Sequence, residues 1–139
     1  ENIKFEGLVI SLCCINYQTR SMEICAAGTS VYYTENGEII RFRGSRDSVG
    51  YEERMENLET LNLPLNAGLR IYMFSDGLQD QFGGAAYKRY STKRLVGSID
   101  KTKHLDLENQ GGEIIKNWLE WKGAEGQIDD VAFMAIEVI

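Results

Sequence analysis

The sequence is poor in histidine, in cysteine pairs, in basic runs and in long apolar runs, and each shortage removes a class of function. A single histidine, His104, cannot build a multi-histidine metal site. In the polar stretch DKTKHLDL it reads as a solvated surface residue. No G-x-S-x-G elbow frames a serine, and no base is placed beside a nucleophile, which excludes a catalytic triad within the chain. No G-x-x-x-x-G-K-[ST] loop is present, so nucleotide binding of that kind has no support. The three cysteines, Cys13, Cys14 and Cys25, are odd in number and lack C-x-x-C spacing, which argues against a disulfide framework or a zinc site. They are expected to be reduced and mostly buried in a cytoplasmic protein, with neighbouring Cys13 and Cys14 on opposite faces of a strand. No apolar run approaches the ~20 residues of a membrane span, so this segment is not expected to insert, and no signal peptide is visible. No run of Lys or Arg stands out, net charge is −6 and the pI is near 4.8. Nucleic acid binding through a basic face is therefore disfavoured. An acidic surface also repels phosphorylated substrates unless a cation lies between.

What is present suits one domain, or part of one: 139 residues, 43% hydrophobic and 26% charged. GLVISLCCI, residues 7–15, is almost continuously apolar and predicts a strand buried on both faces. MEICAAG follows as its antiparallel partner. In SVYYTENGEIIRFR, Asn36-Gly37 sits between two β-rich runs, a strong hairpin signal. GSRDSVGYEERMEN reads as loop, LETLNL as a strand, and Pro64 to Gly68 as the turn before LRIYMFS. After Gly84 the period changes. STKRLVGSI predicts a helix capped by Ser91. GEIIKNWLEWKG predicts a second, with Ile114/Trp118 and Ile115/Leu119 at i,i+4 and a stop at Gly123. VAFMAIEVI closes the chain as a strand apolar enough to be central. The expected class is α+β, with layered sheets and helices.

Carboxylates carry the remaining chemistry. Asp76 ends one apolar strand, and Asp129 and Asp130 immediately precede another. If those strands are neighbours, Asp76 and Asp129 converge at one rim. Converging carboxylates without His or Cys suit a hard divalent cation, Mg²⁺ or Mn²⁺. Such an ion would let an acidic cleft accept a phosphate. Taken singly, each Asp is more often a turn or cap residue than a ligand. The residues alone reach a candidate divalent-metal site in an α+β domain and stop there.

YMFSDGLQDQFGG, the stretch ending WLEWKG, and QIDDVAFMAIEV resemble the C-terminal half of a bacterial metal-dependent serine/threonine phosphatase. The similarity is to the protein phosphatase 2C-like superfamily, in its sporulation stage II protein E branch. EGLVISLCCINYQTRSMEICAAG, SVYYTENGEIIRFRG and SVGY resemble that branch's middle strands and connecting loop, so nearly the whole chain is covered in order. The resemblance implies an antiparallel β-sandwich flanked by helices, lacking its N-terminal strands and first helices. It also implies a binuclear Mn²⁺/Mg²⁺ site at one rim. The family's S-D-G aspartate and the first aspartate of its late D-D or D-N pair fall on Asp76 and Asp129, as metal ligands essential to catalysis. Asp130 takes the supporting second place, and Gly77 matches the glycine that lets the chain turn behind the ligand.

The family's upstream acidic motifs, of Gly-Asp type and of Asp-x-x-Gly-His-Gly type, have no counterpart here. CAAGTS also departs from relatives that place Asn or His near the Ala-Gly. With Glu at position 1, residues 1–139 are expected to form a single partial phosphatase-like domain from a longer protein. The remaining metal ligands, and a sensor or receiver domain, are expected upstream. The implied function is dephosphorylation of phosphoserine or phosphothreonine on a regulatory protein, such as an anti-sigma-factor antagonist. The alternative is a non-catalytic phosphatase-like interaction module with an incomplete metal site; a metal-stabilised structural domain is a third. An isolated chain that lacks its upstream strands is expected to expose edges along residues 7–15 and 131–139 and to dimerise or aggregate.

Overall fold

A computed structural model describes residues 7–50 and 58–139. Residues 51–57, which complete the expected loop GSRDSVGYEERMEN and include the Tyr of SVGY, lie outside the described residues. The chain divides into two compact units. One comprises Glu1–Glu35, Ile40–Ile71 and Glu137–Ile139; the other comprises Asn36–Ile39 and Tyr72–Ile136.

The first unit contains an antiparallel sheet of β1 (Ile10–Asn16), β2 (Ser21–Ala27) and β5 (Thr60–Pro64), with β2 in the middle. The register pairs Cys13 with Ile24 and Ile24 with Leu61. Asn16 closes the β1–β2 turn by accepting the Gln18 and Thr19 amides at 3.0 and 3.1 Å. Met22, Ile24 and Ala26 alternate along β2 into the core, while Glu23 faces out, the period a half-buried strand requires.

β1 corrects the expectation of burial on both faces. From Ser11 its residues alternate, and Leu12, like Leu8 and Val9 just before the strand, is more than half exposed. An edge strand with one uncovered face keeps the apolar composition of a core strand without its burial, so composition alone could not tell the two apart. All three thiols are free, as expected, but Cys14 is exposed on that open face, whereas Cys13 and Cys25 are half-buried. Burial, and then its neighbour Cys14, push the Cys13 thiol up.

A second sheet has the order β4 (Glu38–Arg43), β3 (Ser30–Glu35), β6 (Arg70–Phe74), β9 (Phe133–Glu137). Between β3 and β4, Asn36 and Gly37 both adopt positive φ, 50° and 80°, as the expected hairpin turn demands. Backbone bonds Ser75 N to Ala132 O and Val138 N to Leu69 O run β6 and β9 antiparallel. Arg70 on β6 reaches both carboxylate oxygens of Glu137 at 3.2 and 3.3 Å. Among the described residues β9 stands at the end of its sheet with Met134 exposed, the open edge expected along residues 131–139 in place of the central position its composition suits.

The second unit is built on helices α1 (Asp76–Asp80), α2 (Ser91–Thr102) and α3 (Leu107–Lys122), with a small hairpin of β7 (Phe82–Gly83) and β8 (Lys88–Arg89). Leu78, Leu95, Ile99, Ile114 and Trp118 form its apolar core. Buried Gln110 is satisfied: it accepts from the Tyr72 hydroxyl at 3.2 Å and donates to the Ile99 carbonyl at 3.1 Å. α3 begins five residues before the expected GEIIKNWLEWKG. Asp106 caps it by accepting the Asn109 amide at 2.9 Å, and its bonds to Asn109 hold its carboxyl below the ordinary value. Two interior glycines, Gly111 and Gly112, weaken a helix by about 1 kcal/mol each. The buried stripe Gln110, Ile114, Trp118 holds this one in place, while the expected partner pair Ile115 and Leu119 is exposed. Ser91 makes no capping bond; it opens α2 with φ at +72°. No helix among the described residues is long and apolar enough to cross a membrane.

Candidate functional site

Asp76 opens α1 directly after β6, and Asp129 and Asp130 precede β9, the strand paired with β6. Antiparallel pairing brings the C-terminal end of β6 beside the N-terminal end of β9, so the two acidic segments share one rim. Three residues fasten them there.

Ser75 is the first. It occupies the N-cap position of α1, yet its side chain does not cap the helix. Its Oγ donates to the Asp130 carbonyl at 3.0 Å and accepts the Ala132 amide at 2.8 Å, while its own amide donates to the Ala132 carbonyl at 3.0 Å. Gly77 is the second. A Cβ placed on it would lie 2.2 Å from the Asp130 carbonyl oxygen, which no side chain tolerates without movement. The expected turn glycine is therefore required by close backbone approach, within a short helix instead of a plain turn. Gln81 is the third, and is fully buried. Its Nε2 donates to the carbonyls of Phe82 and Gly126 at 3.0 and 2.9 Å, and its Oε1 lies 3.4 Å from the Ile128 amide. The loop leading into Asp129 is thus pinned from beneath. α1 is held in turn by the Trp118 indole, which donates to the Leu78 carbonyl at 2.9 Å.

Asp76, Asp129 and Asp130 are all exposed. Asp129 Oδ1 accepts the Asp130 amide at 2.7 Å, and the Asp129 carbonyl accepts from Gln127 Nε2 at 2.8 Å. These bonds order Asp129 and leave its other carboxylate oxygen open. The donor set is all oxygen, with backbones fixed by the Gly77–Asp130 approach, and this chemistry fits a hard divalent cation. Its extent is partial, since among the described residues no group of three or more His, Cys, Asp or Glu could hold a metal ion. Asp47 and His104 are exposed in their own segments and join no such group.

The sequence reading missed Ser75 and Gln81 as positioning residues. Ser75 had a signal, since a hydroxyl directly before a strand-end Asp is placed to bond the neighbouring strand. Gln81, in DQFGG, had none, because a buried glutamine looks like a surface one until its partners are known.

No curated protein matches the chain in sequence. Among solved structures, the PP2C domain of SiaA from Pseudomonas aeruginosa superposes with a TM-score of 0.80 at 21% identity, covering 91% of this chain and 50% of that one. The phosphatase domain of the cell fate determinant SpoIIE from Bacillus subtilis, presoaked with Mn, gives 0.65 at 15% identity, covering 94% and 56%. The RsbU and RsbW domains of Rv1364c from Mycobacterium tuberculosis give 0.70 at 16% identity, covering 93% and 35%. The chain therefore spans about half the length, or less, of the solved proteins it matches, and its α+β fold with antiparallel sheets is that of PP2C-like domains. A family model described as Stage II sporulation protein E (SpoIIE) matches residues 5–139. With the S-D-G turn, the late Asp pair and nearly the full chain inside that match, this chain belongs to the stage II sporulation protein E family.

Proposed function

We propose that the protein is a Mn²⁺- or Mg²⁺-dependent phosphatase that hydrolyses phosphoserine or phosphothreonine on a cytoplasmic regulatory protein, such as an anti-sigma-factor antagonist. The observation that carries this reading is the closure of Ser75–Gly77 onto Asp130–Ala132, which holds two acidic strand ends at one rim. Asp76 and Asp129 would hold the metal, and Asp130 would support them. What a pair of divalent cations supplies when bound is an acidified water and neutralised charge on the phosphoryl oxygens. The chain's own residues orient oxygen donors and keep them from moving: Gln81 fixes the loop, Ser75 locks the strand ends, and Gly77 permits their approach. Neither aspartate needs to move a proton. The remaining ligands, and a sensor or receiver domain, lie outside residues 1–139. An isolated chain would self-associate through the open edges at β1 and β9.

The test is Mn²⁺-dependent dephosphorylation of a phosphoserine peptide by the full-length protein. Asp76→Asn and Asp129→Asn are each expected to lower kcat on the order of 100-fold or more, with an unchanged melting temperature because both side chains are exposed. Full activity in both variants would remove these residues from the site. A non-catalytic interaction module is favoured by one observation, the lack of a three-donor group among the described residues. It predicts a wild-type protein with no metal-dependent turnover at all.

A further inference from the structure

Charge along the chain is strongly uneven. Residues 87–104 hold six cations (Lys88, Arg89, Lys93, Arg94, Lys101, Lys103) and one acid, Asp100, a net of +5. The whole chain is −6, so the difference leaves −11 for the rest. Four of the cations, Lys88, Arg89, Lys93 and Arg94, fall within seven residues spanning β8 and the first turn of α2, and all four are exposed.

The platform beneath them is rigid. The hairpin packs on Trp121 through glycine: a Cβ on Gly83 would lie 2.0 Å from the Trp121 carbonyl oxygen, and one on Gly84 2.8 Å from its ring. The Gly84 amide donates to that same carbonyl at 2.8 Å. Arg94 lies over the Trp121 ring at 4.0 Å, and the Tyr90 ring meets it edge-on at 6.0 Å. Arg89 pairs with Asp80 at 3.1 Å and lies over Phe82, against which exposed Tyr87 stacks. Lys88 and Lys93 have no ion-pair partner among the described residues, so their charges are available.

The patch also adjoins the acidic rim. Asp80, which Arg89 holds, is the last residue of α1, and Asp76 is the first. Four residues of helix rise span about 6 Å. Thr92 of α2, between the two pairs of cations, donates to the Gln79 side chain of α1. An extended peptide advances about 3.3 Å per residue, so side chains a few positions from a phosphoresidue at the rim reach these cations.

We propose that residues 87–94 form the docking surface for an acidic segment flanking the phosphorylated residue of the protein substrate. This rests on the phosphatase reading of the rim. A phosphopeptide is repelled by most of an acidic chain, and this patch offers an attractive approach beside the rim, steering encounter and fixing the peptide's direction. A nucleic acid would read the same charges, but the −11 balance of the remaining chain opposes a long polyanion far more than a short acidic segment.

The experiment uses the full-length protein and two phosphoserine peptides that differ in Glu or Gln flanks. Their non-hydrolysable phosphonate counterparts measure binding by fluorescence anisotropy. Wild type is expected to bind the Glu-flanked peptide about tenfold more tightly at low salt. In Lys88→Glu/Lys93→Glu that preference should vanish, with KM for the Glu-flanked peptide raised and turnover of p-nitrophenyl phosphate unchanged. No preference in wild type, or one that survives the reversal, overturns the proposal, as does tighter charge-dependent binding of a single-stranded DNA oligonucleotide. Charge-dependent peptide binding in a protein that hydrolyses no phosphoester supports the docking surface and counts against the phosphatase reading alone.

Discussion

The rim made by Ser75–Asp80 and residues 126–132 differs sharply from strand β1, although both lie beside apolar strand sequence. At the rim every turn of chain is fastened. Ser75 bonds Asp130 and Ala132, Gln81 holds Gly126, Trp118 holds Leu78, and Gly77 leaves room for a carbonyl. Along β1 the backbone is paired on the β2 side, yet Leu12, and Leu8 and Val9 just before the strand, stay exposed. Polar side chains locked under exposed carboxylates mark a place where geometry matters more than burial. Exposed aliphatic side chains on a paired strand mark a surface that stabilises the described chain little.

Substitutions should divide along that line. The largest effect is expected for Trp118→Ala, which empties a buried indole and orphans the Leu78 carbonyl: about 3–5 kcal/mol, read by chemical denaturation. Next is Gly77→Ala, whose methyl must displace the Asp130 carbonyl. It is expected to cost about 1–3 kcal/mol and to lower metal-dependent activity beyond the stability loss. Smallest is Leu12→Asn, expected within about 0.5 kcal/mol in denaturation while reducing self-association of the isolated chain in light scattering. A Leu12→Asn cost equal to that of Trp118→Ala would erase the contrast.

Much of this contrast was legible in the sequence, and the misses share a cause. Asn36-Gly37 announced its hairpin, because positive φ at both positions restricts the residue choice to a few. Asp76, Gly77 and Asp129 were legible as strand-end residues in a spacing that resembles a known family. Composition alone did not give the position of a strand within its sheet, since β1 and β9 are as apolar as central strands. Their open edges among the described residues were legible only through the family resemblance, which implied that strands beside residues 7–15 and 131–139 are lacking. The start of α3 was missed because Gly111 and Gly112 argue locally against helix. The Asp106 cap and the anchoring of Gln110 against Tyr72 and Ile99 outweigh them. The basic patch escaped notice because its cations are interrupted by Tyr90, Ser91 and Thr92, so no run appears.

The central claim is that the closure of Ser75–Gly77 onto Asp130–Ala132 presents Asp76 and Asp129 to one metal cluster. It is tested most directly by Mn²⁺ titration of the full-length protein, with free Mn²⁺ followed by electron paramagnetic resonance. Wild type is compared with Asp76→Asn, Asp129→Asn and the double variant. The account predicts that each single change weakens Mn²⁺ binding by about tenfold or more, and that the double change adds much less than the sum of the two, because both serve one site. Unchanged Mn²⁺ affinity in either single variant, or losses that simply add as for independent sites, would contradict it.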